Sequence, residues 1–305
     1  MLMPNIETNA NHVLLKKIEM QKHFRISILG CGWLGLPLAE KLIGRGHQIK
    51  GSTTSSDKLI TLKNKGIDPY LVHFSEANTP VSPEFLMSDV LIINIPPGRK
   101  SPEGSENYLR MSDFFCKNIP NTEIRKIVLV SSTSVYNETN TSVSEQDLSE
   151  PESPAGKLLL KVENQFLALK NMQVCVLRPS GLIAEDRHPG RFFKNKINIP
   201  NGLAPINLIH RDDVIGIILK LLDHNEAHGI YNGCSLTHPA KMDFYRMAAE
   251  SIGLPPPEFI AEKRVWKIVL SDRVKKELDY EFLYPDLQDW LKERSDRGNL
   301  EQPVR

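Results

Sequence analysis

Residues Arg25–Leu42 read R-I-S-I-L-G-C-G-W-L-G-L-P-L-A-E-K-L. A short apolar run (Ile26, Ile28, Leu29) enters Gly30-x-Gly32-x-x-Gly35, and apolar positions at helical spacing follow (Leu34, Leu38, Leu42). Strand, glycines and amphipathic helix in that order form a dinucleotide-binding turn. Gly30 permits the tight turn, Gly32 lacks the Cβ that would collide with a pyrophosphate, and Gly35 lets the helix sit close on the strand. The helix N-terminus then offers free N–H groups and partial positive charge to the phosphates. Trp33 and Leu34 sit inside this turn, so they join the three glycines as expected cofactor contacts.

Further apolar runs extend the pattern. His47–Ser52, Leu71–Phe74, Asp89–Ile95, Arg125–Ser132, Val174–Pro179 and Gly229–Asn232 read as strands. Helical patterns lie between or after them at Asn107–Cys116, Gly156–Leu169, Asp212–Asp223 and Lys241–Ile252. Near-continuous apolar strands alternating with helices predict a doubly wound parallel α/β sheet, a Rossmann fold, with helices on both faces. From about Gly181 the pattern loosens into loops rich in Pro, Gly, Arg and His. This predicts a dinucleotide-binding domain over 24–180 and a smaller C-terminal substrate lobe over 181–305. Residues 1–23 carry neither a continuous apolar core nor a cleavage site and read as an N-terminal extension.

At a formal net charge of +1 the chain gives no reason to expect a nucleic-acid or membrane partner. No apolar run approaches the roughly 18 residues a membrane helix needs. The four cysteines (Cys31, Cys116, Cys175, Cys234) are scattered, with no metal-ligand spacing. They read as reduced thiols of a cytoplasmic protein without a bound metal.

The dinucleotide itself is read after the second strand. NAD-preferring domains place an acid there to hold the ribose hydroxyls. This chain has Ser52-Thr53-Thr54-Ser55-Ser56 and no acid before Asp57. Hydroxyls with Lys50 or Lys58 nearby suit a 2′-phosphate, so NADP is expected, with NAD as the alternative. Pro96 and Pro97, at the end of the fourth strand, complete the expected cofactor contacts.

The order of these features, with V-L-V-S-S-T-S-V-Y closing the fifth strand, resembles the extended short-chain dehydrogenases/reductases, the superfamily of nucleotide-sugar epimerases and dehydratases. Leu177–Ile183 resembles its sixth strand and following loop. Asn207–Val214 resembles its substrate-lobe strand. Within it, G-W-L-G-L-P-L-A (32–39), S-S-T-S-V-Y (131–136) and above all R-H-P-G-R-F-F (187–193) are similar to an atypical, YeeZ-like bacterial subgroup. The resemblance covers about residues 24–290. It places on Ser132 the hydroxyl that holds the reacting oxygen. It also implies a Tyr-x-x-x-Lys pair within P-x-S-P-Y-G-x-S-K-x-x-x-E, where this chain has P-E-S-P-A-G-K-L-L-L-K-V-E. Ala155 and Leu159 occupy the Tyr and Lys positions, and neither can carry a proton. Lys157 and Lys161 lie two residues to either side of Leu159, roughly 200° around a helix, and point elsewhere.

A hydride-transfer reaction still needs a proton donor. Tyr136, His188 and His210 are the candidates beside Ser132. Tyr136 also reads as a wall of the nicotinamide pocket, and His210 as a residue bonded to Asp212, Asp213 or loop backbone. Arg187 and Arg191, flanking His188, and Arg99 after Pro96-Pro97-Gly98 suit capture of a phosphate or carboxylate. The expected function is therefore an NAD(P)-binding oxidoreductase or epimerase-like enzyme acting on an anionic small molecule. The alternative is a non-catalytic NADP(H)-binding sensor or regulatory protein, and a flavin- or sugar-nucleotide-binding enzyme is a third reading. A homodimer is compatible with either of the first two.

Overall fold

The structure, a computed structural model, describes residues 23–75, 81–98 and 102–300, without the side chains of 102 and 294–300. Residues 1–22 of the N-terminal extension and Arg99 fall outside the described residues.

Eleven strands are present among the described residues: β1 (Arg25–Leu29), β2 (Gln48–Thr53), β3 (Asp68–Leu71), β4 (Val90–Ile93), β5 (Lys126–Val130), β6 (Ser142–Val143), β7 (Gln173–Pro179), β8 (Gly181–Ile183), β9 (Leu208–His210), β10 (Gly229–Gly233) and β11 (Ile268–Val269). The helices are α1 (Gly35–Gly44), α2 (Asp57–Asn64), α3 (Pro83–Leu86), α4 (Pro102–Asn118), α5 (Pro154–Leu167), α6 (Arg211–Asp223), α7 (Lys241–Glu250), α8 (Asp272–Leu278) and α9 (Leu287–Leu300).

Seven strands form one parallel sheet in the order β10-β7-β5-β4-β1-β2-β3. Its central strands are covered on both faces, as their near-continuous apolar runs require. Ile26, Ile28, Val90 and Ile92 pack with α1 and α6, whereas Leu29, Leu91, Ile93 and Leu129 pack with α4 and α5. Adjacent residues point to opposite faces, so one unbroken apolar strand supplies both layers. The strand order reverses between β1 and β4. The carboxyl ends of these two strands therefore open into a crevice, the place where open α/β sheets bind ligands.

One strand boundary differs from expectation. The third strand is Asp68–Leu71, not Leu71–Phe74. Among the described residues it is the outermost strand, pairing with β2 alone, so Pro69 is tolerated within it because an edge strand has one side without ladder bonds. The stretch 181–305, expected as the smaller lobe, also contributes to the large sheet. α6 and β10 return to the large sheet, and Lys126 in β5 closes the end of α6 by donating to the carbonyls of Leu221 (2.5 Å), Leu222 (3.2 Å) and His224 (2.9 Å). The smaller lobe is assembled from segments on either side of this return. Its separate core joins Ile183, Ile206 and Leu208 to Phe244, Tyr245, Leu287, Trp290 and Leu291. Among the described residues no helix is long and apolar enough to cross a membrane, and no cluster of His, Cys, Asp and Glu could hold a metal ion.

Candidate cofactor cavity and the carboxyl edge of the sheet

The three glycines of the first turn have different tasks. Gly30 has φ +99°, and a Cβ there would lie 2.7 Å from the Asn94 carbonyl oxygen. A Cβ on Gly35 would lie 2.1 Å from the Gly30 oxygen. Both are therefore required by the fold. A Cβ on Gly32 would meet no atom within 4 Å. The chain itself does not need a glycine at 32; a phosphate approaching the N-terminus of α1 would.

Above this turn lies a cavity of about 390 Å³. Gly30, Gly32, Thr53, Thr54, Lys58 and Pro96, all expected from the sequence, line it. Trp33, Leu34, Gly35, Ser55 and Pro97 do not. Leu34, Gly35 and Pro97 are buried, and Ser55 donates its N–H to Thr53 Oγ1 at 3.2 Å. Ser52 holds the turn: its Oγ accepts from Gly30 N (2.9 Å) and its carbonyl from Cys31 N (2.8 Å). Lys50 is turned away from the cavity. It sits three residues before the end of β2, and its ammonium donates to the carbonyls of Met87 (2.7 Å) and Glu84. Lys58 is therefore the cation that the second-strand loop supplies.

Asn94, Asn107 and Tyr108 also line the cavity and were not anticipated. Asn94 Nδ2 donates to Gly30 O at 3.2 Å, fastening the end of β4 to the glycine turn across the strand-order reversal. A polar residue closing the buried run V-L-I-I was the available signal.

At the carboxyl end of β5, Ser132 caps the short turn Thr133–Val135. Its Oγ accepts from Ser134 N (3.2 Å) and Ser134 Oγ (2.9 Å). Tyr136 is buried and held on both sides of its hydroxyl. Arg178 Nη1 donates to it at 2.8 Å, and it donates to Asn232 Oδ1 at 2.9 Å. Burial raises its pKa, opposed by the neighbouring Arg178. Its proton is committed inside the core, which replaces the expected role of Tyr136 as a donor facing the crevice. Arg178 in turn holds Glu163 of α5 through Nε, 3.1 Å from each carboxylate oxygen. Both residues are almost wholly enclosed, at 3% and 0% exposure. On the same helix Leu159 is buried in the core, whereas Lys157 and Lys161 are exposed.

The loop after β8 docks on the glycine turn through Trp33. The indole Nε1 donates to Asp186 Oδ2 (2.9 Å), which also takes Arg211 Nη1 (3.0 Å). The guanidinium groups of Arg211 and Arg187 lie 4.8 and 5.4 Å from the indole ring centroid. Arg187 is thereby stacked on Trp33 of the glycine turn, and Arg191 is exposed.

The two expected histidine donors have become helix caps. His188 Nδ1 accepts from Gly190 N, and His210 Nδ1 from Asp212 N, both at 3.2 Å. Each ring packs 5.4 Å from Trp290 of α9, and His210 also lies 4.2 Å from the Tyr284 ring. His210 Nε2 is 3.5 Å from Glu185 Oε2. Burial is the largest cause lowering both pKa values. Arg191 adds to the lowering at His188, and Asp212, Asp213 and Asp186 oppose it at His210, where Arg211 lowers it further. The caps need unprotonated Nδ1. The stability they give is complete above the unfolded value of about 6.5 and is lost as pH falls below it. Melting temperature should therefore hold above about pH 6.5 and drop as pH falls from there towards about pH 5. Replacing both histidines with Asn, which caps at either pH, should flatten that drop. An unchanged slope in the double variant would contradict the role of the two caps.

No family profile matches the chain. It is similar to protein YeeZ of Escherichia coli (strain K12), with 36% identity over 267 residues, 86% of this chain and 97% of that protein. Among solved structures, MoeE5 in complex with UDP-glucose and NAD covers 91% of this chain and 100% of its own, with a TM-score of 0.72 and 18% identity. The human epimerase family protein SDR39U1 with NADPH covers 89% and 99%, with a TM-score of 0.68 and 17% identity. At these identities the two structures show a shared fold.

Proposed function

The chain belongs to the YeeZ family, which has the fold of the epimerase/dehydratase-like short-chain dehydrogenases/reductases, and from that premise we propose that it binds a nicotinamide dinucleotide and acts as an oxidoreductase or epimerase on an anionic small molecule. The observation that carries this reading is Gly32. It is a glycine with open space where a side chain would be, at the N-terminus of α1 and beside the strand-order reversal. Relatives in fold are described with NAD in one case and NADPH in another. A nicotinamide bound there would supply hydride transfer.

The chain's own part in the chemistry falls to Ser132. Ser134 fills both acceptor positions of its hydroxyl, so its proton is directed to an outside oxygen. That proton polarises a substrate carbonyl or steadies a hydroxyl at the carboxyl end of β5. The test is NADPH consumption over a panel of carboxylated and phosphorylated carbonyl compounds. Ser132→Ala should lower turnover about 100-fold, the scale of a lost positioned donor.

NADP is the proposed cofactor because Lys58 lines the cavity and the residues between β2 and Asp57 carry no acid. Lys58→Ala should weaken NADPH about tenfold, in keeping with roughly 1.5–3 kcal/mol for a hydrogen bond to a charged group reduced by exposure, and leave NADH unchanged. Titration of both nucleotides checks this, and equal losses would refute it.

A second reading rests on a specific observation. Where the resemblance places Tyr and Lys, α5 carries Ala155 and the buried Leu159. A non-catalytic NADP(H) sensor would show tight NADPH binding and no turnover on any compound of the panel.

A further inference from the structure

A second cavity of about 390 Å³ lies between the segment after Tyr136, the approach to β9 and the start of α7. It shares no lining residue with the cofactor cavity, and its size suits a compact small molecule. Two of its polar side chains are already tied into the fold. Glu138 is paired with the Lys267 ammonium at 2.8 Å. Asn207 donates to Lys267 O (2.9 Å), and its Oδ1 accepts from Val269 N (2.8 Å).

Lys241 is different. Its ammonium stands 5.2 and 5.8 Å from the ring centroids of Phe193 and Phe259 and makes one long contact to Pro200 O at 3.4 Å. Among the described residues no carboxylate pairs with it. Burial lowers its pKa, the mark of a cation losing water without gaining a counter-ion. Two neutral donors share the cavity. The Tyr245 hydroxyl has no hydrogen-bond partner among the described residues, and the Asn201 side chain is engaged through its oxygen by Arg264 N and Val265 N, which leaves its NH₂. Ile206, Leu208 and Trp266 give the remainder an apolar wall.

We propose that this cavity binds a small molecule through a single carboxylate, with Lys241 as its counter-ion and Tyr245 and Asn201 as further donors. The charge count selects the class. Of the charged side chains that line the cavity, Glu138 is neutralised by Lys267, and Lys241 has no carboxylate partner among the described residues; Lys263 is held against the Trp266 ring at 3.8 Å. A single cation suits a monoanion, whereas a phosphate dianion would keep an uncompensated charge in a partly dry site. The assignment deepens the proposed function and rests on it for the identity of the anion as substrate. It puts the recognising cation on α7, not on Arg187 or Arg191.

The probe is 3-phenylpropanoate, compared with its uncharged amide and with phenyl phosphate, by calorimetric titration of the full chain. The carboxylate should bind at least tenfold more tightly than either of the others. Lys241→Met should lose that margin and Lys241→Arg should keep most of it. Tyr245→Phe, which retains the ring packing, should weaken the carboxylate about threefold and keeps the proposal testable if the Met variant does not fold. Equal binding of acid and amide, preference for the phosphate, or a Met variant with undiminished carboxylate affinity each overturns the assignment. NADPH titrated in parallel separates the two readings. Intact NADPH binding without carboxylate binding refutes this assignment alone, and the reverse refutes the proposed cofactor alone.

Discussion

Gly32→Val is expected to abolish dinucleotide binding, weakening NADPH by at least about 100-fold, while the protein melts within a few degrees of the wild type. The reason is that the two demands on the glycine turn fall on different residues. The added carbons at 32 start from a Cβ with no described atom within 4 Å, so the fold has little to lose. They occupy the approach to the α1 N-terminus, where phosphate oxygens would take charge-assisted N–H bonds worth about 1.5–3 kcal/mol each. Gly35→Ala should do the opposite. Its Cβ would lie 2.1 Å from the Gly30 oxygen, so α1 must move off β1 and stability falls first. Thermal denaturation and NADPH titration on both variants check the pair. Undiminished NADPH affinity in Gly32→Val would remove the basis for placing a cofactor here.

Glu163→Ala should be the most destabilising single change beneath the site, by about 3–5 kcal/mol, the cost of leaving a buried charge without its partner. Arg178 is 3% exposed and has its Nε 3.1 Å from each Glu163 carboxylate oxygen, so deleting the acid strands a guanidinium in the core. The same deletion releases Ser131, which donates to Glu163, at the end of β5, just before Ser132. Chemical denaturation measures the loss. Replacing Glu163 and Arg178 together with apolar residues of similar volume should recover much of it, since no unpaired charge remains. If the single variant is as stable as the wild type, the ion pair does not hold α5 to β7.

Seen from the sequence, the cofactor end of the molecule was legible because its signals are local. Glycines between an apolar run and a 3.6-residue periodicity specify a turn geometry directly. The runs at Asp89–Ile95 and Arg125–Ser132 specify strands buried on both faces. Of the eleven cofactor contacts expected, Gly30, Gly32, Thr53, Thr54, Lys58 and Pro96 line the cavity. The failures are residues whose side-chain direction depends on distant chain. Lys50 is near the nucleotide in sequence but bonds Met87 and Glu84, carbonyls that only the packing of α3 against the sheet brings to it. Tyr136, His188 and His210 have the chemistry of proton donors, and each is consumed by a partner on another element or by the backbone of the turn it caps.

The order of amino acids alone dictates the parallel α/β fold, the position of the glycine turn and the missing acid after β2, because strand burial, helix periodicity and turn conformation are properties of contiguous residues. It also dictates that Ala155 and Leu159 cannot move a proton, because that is a property of the side chains alone. Long-range packing establishes that a Cβ has room at Gly32 and none at Gly30 or Gly35, and that Tyr136 is locked between Arg178 and Asn232. The same holds for Lys241, which faces a cavity with no counter-ion among the described residues. These facts depend on which atoms approach from residues far apart in the chain, and close packing fixes those approaches only when the whole molecule has folded.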